Sequence, residues 1–340
     1  MKAAVYKGPG HIEVEDRPDP KPGTGRVVVE VSHCGICGTD LHLLLEGWGQ
    51  PGLVAGHEYS GTVAALGAGV DGWGVGDAVA VNPMTPCGTC PQCVAGRPSL
   101  CRASDAASAL SGQGAFARFT DVAPTQLHRV PDGLDLRTAA LAEPLAVALH
   151  AVTLGNVSGT PGARALVTGA GPIGMLSVAA LRASGVDDVT VSEPGERRRA
   201  AAASIASAAV APDELPQVPA MPDAVVDGAY DVVIECSGRA EVMEHALGLL
   251  APAGTLVITG TGLQRPRFDQ MRILINELIV TGSYNYDEGG FERALALLAS
   301  GAVPTAELIE DEDVGLDGIA GALESLVRGE HAGKVLVRPH

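Results

Sequence analysis

Cys37 and His57 offer a soft thiolate and an imidazole, the donor types that zinc favours. They lie in Gly35-Ile36-Cys37-Gly38-Thr39-Asp40-Leu41-His42 and in Gly56-His57-Glu58. A catalytic zinc site also needs a third protein ligand. Thr39 and His42 follow Cys37 by two and five residues, so a hydroxyl and an imidazole stand near whatever a metal there would hold. Together they form a chain able to carry a proton to water. Taken singly, Cys37 reads as a buried structural thiol and His57 as a satisfied core histidine. The metal reading gains force only where the rest of the chain supplies the missing parts.

A second group of thiols is more specific. Cys87, Cys90, Cys93 and Cys101 are separated by gaps of two, two and seven residues. Four thiolates in one loop close a tetrahedral zinc site with no open position, hence a structural one; an iron–sulfur cluster is the competing occupant. Cys34 and Cys37 also form a C-x-x-C pair, the pattern of a redox dithiol. Cys37 is better employed as a ligand, which leaves Cys34 as a small core residue. Cys236 ends an apolar run and reads as structural.

Gly169-Ala170-Gly171-Pro172-Ile173-Gly174 follows the short apolar run Arg164–Thr168 and precedes a helical pattern from Met175 to Ala183. Strand before and helix after give this G-x-G-x-x-G the context of a dinucleotide site. Gly169 permits the tight turn, Gly171 admits a pyrophosphate to the backbone, and Gly174 lets helix pack on strand. The helix N-terminus offers N–H donors to the phosphates. Glu193 ends the next strand, Val189–Glu193, about 20 residues on, where a carboxylate accepts the adenosine ribose hydroxyls and repels a 2′-phosphate. NAD is therefore expected over NADP, although Arg197, Arg198 and Arg199 could bind that phosphate.

The elements that must position these residues follow from length and pattern. A chain of 340 residues exceeds a typical single domain, and 46% hydrophobic content is ample for two cores. Short strands punctuated by glycine and proline are expected at Lys2–Val5, Ile12–Glu15, Val27–Val31, Ser60–Leu66, Ala78–Val81, Gly112–Val122 after a turn, and Leu127–Val130. They make a small β-barrel-like domain. A helix is expected from about Asp135 to Leu154, broken just before Pro144 so that Glu143 is left at a helix end. A second domain begins near residue 145. Strands at Arg164–Thr168, Val189–Glu193, Asp231–Cys236, Thr255–Thr259 and Leu278–Gly282, with helices between them, predict a parallel, doubly wound sheet. Further helices are expected at Ala200–Ala209, Phe291–Ser300 and Leu316–Val327, and a closing strand at Gly333–Arg338.

The net charge of −17 argues against nucleic-acid binding and against anionic membrane surfaces, both of which need basic patches. The opening Met-Lys-Ala-Ala-Val-Tyr-Lys-Gly lacks an apolar leader, and no run of about 18 apolar residues occurs. Seven cysteines in such a chain read as thiols and metal ligands rather than disulfides, so a cytoplasmic protein is expected.

Together, Gly35–His42, Gly56-His57-Glu58, the four-cysteine loop, Leu141-Ala142-Glu143-Pro144-Leu145, Gly169–Gly174, Asp231–Gly238 and Gly333–Val337 resemble the zinc-dependent medium-chain dehydrogenase/reductase family. The resemblance covers essentially the whole chain. It implies a GroES-like catalytic domain (residues 1–144), a Rossmann NAD-binding domain (145–285), and a C-terminal segment (286–340) that returns to the first. It implies that Cys37, His57 and Glu143 hold a catalytic zinc, with Glu58 as an alternate ligand or a neighbour of the ligands, and that Thr39 and His42 are the proton relay. Arg198 would contact the adenosine end and Lys334 would reach the pyrophosphate. The Glu143-Pro144-Leu145 form resembles the polyol, butanediol and related secondary-alcohol dehydrogenases, while Asn285 stands near a place where some polyol enzymes carry Arg. Zinc would lower the pKa of an alcohol, Thr39 and His42 would pass its proton out, and the carbinol hydride would move to NAD. Phe116 and Trp48 are candidates for the pocket wall. Two zinc ions per subunit and a homodimer or homotetramer are expected, since the family pairs its cofactor domains edge to edge.

Two other functions fit parts of the sequence. A zinc-free reductase of the same fold acting on enones or quinones would not need Cys37, His57 and Glu143. A zinc-stabilised regulatory protein that keeps NAD only as a ligand would not need Thr39 and His42. All five residues are present.

Overall fold

β-Branched runs near the N-terminus build an antiparallel sheet in the computed structural model, which describes residues 1–103 and 114–340. β1 (Lys2–Gly8) and β2 (His11–Asp16) form a hairpin. β3 (Val27–Gly35) pairs with β4 (Glu58–Leu66), which continues through β5 (Ala78–Val81) to β7 (Leu127–Arg129). β6 (Phe119–Val122) and the closing strand Leu336–Val337 also pair with β3. The inward valines Val27, Val29, Val31, Val63, Val79 and Val81 share one core with Phe116. The turn read at Gly112 lies outside the described residues.

The register of these strands decides where the chemistry sits. Gly35, the last residue of β3, lies opposite Glu58, the first of β4, and opposite Leu336 of the closing strand. The chain leaving β3 therefore carries Cys37 to the strand end where His57 and Glu58 enter. A β-carbon on Gly35 would stand 2.3 Å from Glu58 Oε2, so a side chain there would have to displace the Glu58 carboxylate. α1 (Gly38–Leu44) starts directly after Cys37, and the four-residue α2 (Pro91–Val94) lies within the cysteine loop.

The expected helix before Pro144 is two helices, α3 (Leu136–Ala139) and α4 (Ala142–Gly155). The break falls at Ala140 and Leu141, earlier than a proline kink requires. Pro144 sits in the first turn of α4, where its missing N–H has no intrahelical partner to lose.

The second sheet is entirely parallel, in the order β10 (Ala208–Val210), β9 (Asp188–Ser192), β8 (Arg164–Thr168), β11 (Tyr230–Glu235), β12 (Leu250–Ile258), β13 (Ile279–Gly282). The strand order reverses between β8 and β11, and a crevice opens there outside the strand carboxyl ends. α5 (Pro172–Ala183) follows β8. The expected Ala200–Ala209 helix is corrected: the helix is Glu196–Ala202, and Ala208–Val210 is the edge strand β10. Alanine favours helix weakly, and the sheet overrides it here. Ser207 accepts the Val189 N–H and donates to Asp187 O, pinning the chain as strand.

Internal contacts divide the chain into Met1–Glu143 with Asp287–Gly301 and Ile309–His340, and Pro144–Tyr286 with Ala302–Leu308. The stretch 302–308, read from the sequence as part of the C-terminal return, belongs with the second unit. Its helix Thr305–Leu308 packs on α5. Among the described residues no helix is long and apolar enough to cross a membrane.

Candidate active site

Cys37 caps α1, and its backbone N–H donates to Asp40 Oδ2 at 2.9 Å. Asp40 is wholly buried and turns its other oxygen, Oδ1, to within 3.8 Å of His57 Nδ1. At that distance the pair is a charge contact and not a hydrogen bond; it sets a carboxylate on the Nδ1 side of the ring and leaves Nε2 as the candidate donor atom. Sequence reasoning passed over Asp40. Its place at the third position of α1, reaching back to the cap N–H, is the signal that could have found it.

The donor atoms of Cys37, His57 and Glu58 lie within 4.8 Å of one another. Glu143, in the first turn of α4, is 7% exposed and electrostatically coupled to His57, Glu58 and Lys334. Burial, then the Glu58 charge, push its carboxyl up to about 7, against the pull of His57 and Lys334. Burial works against a charge on His57, but Cys37, Asp40 and Glu143 outweigh it and hold its pKa well above the ordinary value. His57 Nδ1 and Asp40 Oδ1 are buried without a hydrogen-bond partner, and such atoms carry an energetic penalty. The converging donors of Cys37, His57 and Glu58, with the buried Glu143 carboxyl influenced by their charges, are a set that fits a divalent zinc ion, whose charge would offset theirs.

Lys334, expected at the pyrophosphate, is engaged within the first unit. Its Nζ lies 2.7 and 2.8 Å from the two oxygens of Glu58 and donates to Ile36 O at 3.1 Å, inside the first unit. A buried ammonium must spend its donors on partners at hand, and these three oxygens take them.

The Thr39 hydroxyl faces Cys37 Sγ at 3.7 Å. One turn on, His42 hydrogen-bonds Glu46 through Nδ1 at 2.9 Å and stacks on Trp48 with ring centroids 4.7 Å apart. Trp48 thus packs on the relay histidine. Phe116 is buried core, close enough to Gly56 that a β-carbon there would meet its ring at 2.8 Å. Cys34 is fully buried, and burial pushes its thiol well up, as an inert core thiol requires.

The four loop cysteines bring their sulfurs within 4.8 Å of one another. The N–H of Cys90 donates to Cys87 Sγ at 3.3 Å and that of Cys87 to Cys101 Sγ at 3.4 Å. Backbone donors from Thr89 and Cys90 draw the Cys87 thiol down to about 6, while burial and the neighbouring sulfurs push Cys93 up to about 12. Sulfurs this close cannot all ionise without a cation among them, and their number and spacing fit a closed zinc site.

In the second unit, Gly169 has φ of +91°, a left-handed conformation that favours glycine. A β-carbon on Gly174 would stand 1.9 Å from Gly169 O, whereas one on Gly171 would meet nothing within 4 Å. Gly171 caps α5 without a side chain and Pro172 opens it, with Ile173 next, so the helix start is bare of side-chain caps. A cavity of about 560 Å³ lies there, lined among others by Thr168, Gly169, Gly171, Glu193, Arg198 and Ser237. Glu193 is held differently from expectation: its two oxygens accept the N–H groups of Ala170 and Gly195, each at 2.8 Å. The carboxylate braces the glycine turn from beneath while still lining the cavity. Arg199 turns away to the carbonyls of Glu193 and Pro194, so Arg198 is the arginine of the three at the cavity wall.

The family model described as "Alcohol dehydrogenase GroES-like domain" matches residues 23–132, and the one described as "Zinc-binding dehydrogenase" matches residues 172–300. The chain is 34% identical over 316 residues to a protein named probable D-xylulose reductase A of Emericella nidulans, covering 90% of this chain and 88% of that one. The fold of 2R,3R-butanediol dehydrogenase from Bacillus subtilis superposes with a TM-score of 0.88 at 30% identity, over 100% of this chain and 99% of that one. A zinc-binding dehydrogenase from Sinorhizobium meliloti, solved bound to NADP, gives 0.87 at 34% identity over 99% of each chain.

Proposed function

The chain belongs to the zinc-dependent medium-chain dehydrogenase/reductase family, and we infer that it interconverts a secondary alcohol of the polyol or diol class and its ketone, using a nicotinamide dinucleotide. The observation that carries this reading is the convergence of Cys37, His57 and Glu58 donor atoms within 4.8 Å, with the Thr39 hydroxyl against Cys37. Cys37, His57 and a carboxylate from Glu143 or Glu58 would hold zinc, and Cys87, Cys90, Cys93 and Cys101 a second ion. Bound there, the catalytic zinc supplies Lewis acidity that makes an alcohol hydroxyl acidic near neutral pH.

The chain's own residues account for the rest. Asp40 sets a buried carboxylate beside His57 Nδ1. Lys334 neutralises Glu58 and keeps it in place beneath the site. Thr39 accepts the substrate's hydroxyl proton as it passes its own on, and His42 delivers it to water. The first-turn amides of α5 bind a pyrophosphate, and Glu193 holds the glycine turn in shape.

NAD is the cofactor this reading favours, because a carboxylate at the cavity wall repels a 2′-phosphate. Arg198 on the same wall, and the NADP bound to the Sinorhizobium relative, make the parallel assay with NADP essential. A homo-oligomer also belongs to the reading. Among the described residues β13 is an edge of the parallel sheet, and Met271, Leu274, Ile275, Ile279 and Tyr284 stand exposed on or near it. Apolar side chains flanking an open strand edge mark a surface that a second copy can cover.

The test is the growth of reduced-nicotinamide absorbance from zinc-replete protein across polyols, vicinal diols, cyclitols and amino alcohols, with NAD and NADP in parallel. Turnover of a secondary alcohol that vanishes in Cys37→Ser supports the reading. No turnover with any alcohol, or turnover untouched by that substitution, overturns it.

A further inference from the structure

His42 is held from two sides by residues that the relay itself does not name. Glu46 Oε2 lies 2.9 Å from His42 Nδ1, and the Trp48 indole stacks on the imidazole with 17° between the planes. The backbone brings them there: Glu46 N–H donates to Leu41 O at 3.3 Å and Trp48 N–H to His42 O at 3.2 Å, so the chain folds back over the end of α1. Gly47, with φ of +82°, makes the bend that a side-chain-bearing residue would resist. Thr39 precedes His42 by three residues in α1 and so shares its face. The His42 side chain is 23% exposed and that of Glu46 50% exposed, which places the pair between the site and solvent.

We propose that Glu46 is a positioning residue for proton release: it fixes His42 in the tautomer that carries its proton on Nδ1 and presents Nε2 to the arriving proton. A carboxylate only accepts, so a hydrogen bond to it requires the hydrogen on Nδ1 and leaves the lone pair on Nε2. The step balances simply. The alcohol proton reaches Nε2 by way of the Thr39 hydroxyl, and the N–H bond formed there breaks again to water. Nδ1 keeps its hydrogen throughout, and Glu46 takes no proton. This is the division of labour between histidine and carboxylate in hydrolase triads, built here on an i,i+4 spacing at a helix end. Trp48 keeps the ring plane fixed, so the hydrogen bond is not lost to rotation.

The inference rests on the alcohol dehydrogenase reading, and the experiment separates the two. Proton release is followed with a pH-indicator dye in single turnovers of the zinc-loaded protein, where product release does not intervene. Glu46→Ala and Glu46→Gln are expected to slow it by at least about tenfold, a lower bound below the roughly hundredfold or more that a direct acid–base group contributes. KM for the alcohol, zinc content and melting temperature should stay near wild type, and Glu46→Asp should restore part of the rate. Nitrogen NMR of the His42 ring should show hydrogen on Nδ1 in the wild type and a mixture of tautomers in Glu46→Ala. Release within about twofold of wild type in both Ala and Gln variants, or an unchanged tautomer in Glu46→Ala, overturns the role of Glu46 and leaves the enzyme assignment standing. A wild type that oxidises no alcohol overturns the assignment itself.

Discussion

Lys334 Nζ lies 2.7 Å from Glu58 Oε2, with side chains 2% and 1% exposed, so the segment that leads into the last strand neutralises a charge beside the candidate metal ligands. Removing one partner of such a pair strands the other in a medium that solvates it poorly. Lys334→Met is expected to lower stability by about 3–5 kcal/mol. The double variant Lys334→Met with Glu58→Gln should recover much of that loss. Denaturant unfolding of the three proteins, with and without a chelator, checks it. A single variant as stable as wild type would mean that the pair does not hold this segment.

The glycine turn offers a contrast of two similar substitutions. In Gly174→Ala the new methyl meets Gly169 O at 1.9 Å, and backbone cannot yield as a side chain can. Overpacking of this kind costs about 1–3 kcal/mol, so both fold stability and dinucleotide binding should fall. In Gly171→Ala the methyl meets no protein atom within 4 Å and φ is an ordinary −73°. Stability should hold while binding alone weakens, because the methyl occupies space meant for the pyrophosphate. Unfolding curves beside fluorescence titrations with NADH separate the two effects.

These cases show what was legible in the sequence. The glycine turn, the four cysteines and the pair Cys37 and His57 announce themselves because ligand type and local spacing are written in short stretches. Lys334 does not, since its partner Glu58 lies 276 residues away and only the register of β3, β4 and the closing strand brings them together. Glu193 was found by position, but its orientation depends on two backbone donors, Ala170 and Gly195, that no pattern reveals. Ala200–Ala209 misled because alanine content reports helix propensity and not the need of a parallel sheet for an edge strand.

The acid limb of stability should depend on Glu310. Burial pushes its carboxyl up, but the Gly333 N–H, His331 and the Ala332 N–H together hold it below the ordinary glutamate value. The two N–H groups donate to Oε1 at 2.7 and 2.8 Å, anchoring the segment that carries Lys334. A carboxyl lowered in the folded state adds stability that is complete above its ordinary pKa of 4.5 and is lost as pH falls through the folded value. Glu310→Gln should be less stable near neutrality and lose less than wild type between neutral pH and the acid transition. Equal acid slopes in the two proteins would exclude this contribution.

The cysteine loop supplies the last test, because it is tied to the start of the returning chain. Asp287 accepts from Arg97 Nε at 2.5 Å and from the Ser99 hydroxyl at 2.6 Å, both within the loop that the four sulfurs close. Cys93→Ser removes one sulfur from the closed set and leaves Cys37, His57, Glu58 and Glu143 untouched. Metal analysis is expected to show one zinc ion fewer per subunit, with the remaining ion accounting for activity. A released loop no longer fixes Arg97 and Ser99 against Asp287, so limited proteolysis should cut between Cys87 and Cys101 far sooner than in wild type. Zinc binding that leaves its ligands in the folded state contributes folding free energy, so the variant should also unfold at lower temperature. Zinc content unchanged from wild type in Cys93→Ser, with wild-type resistance to protease, would show that Cys93 holds no ion and that the loop is ordered without a closed four-sulfur site.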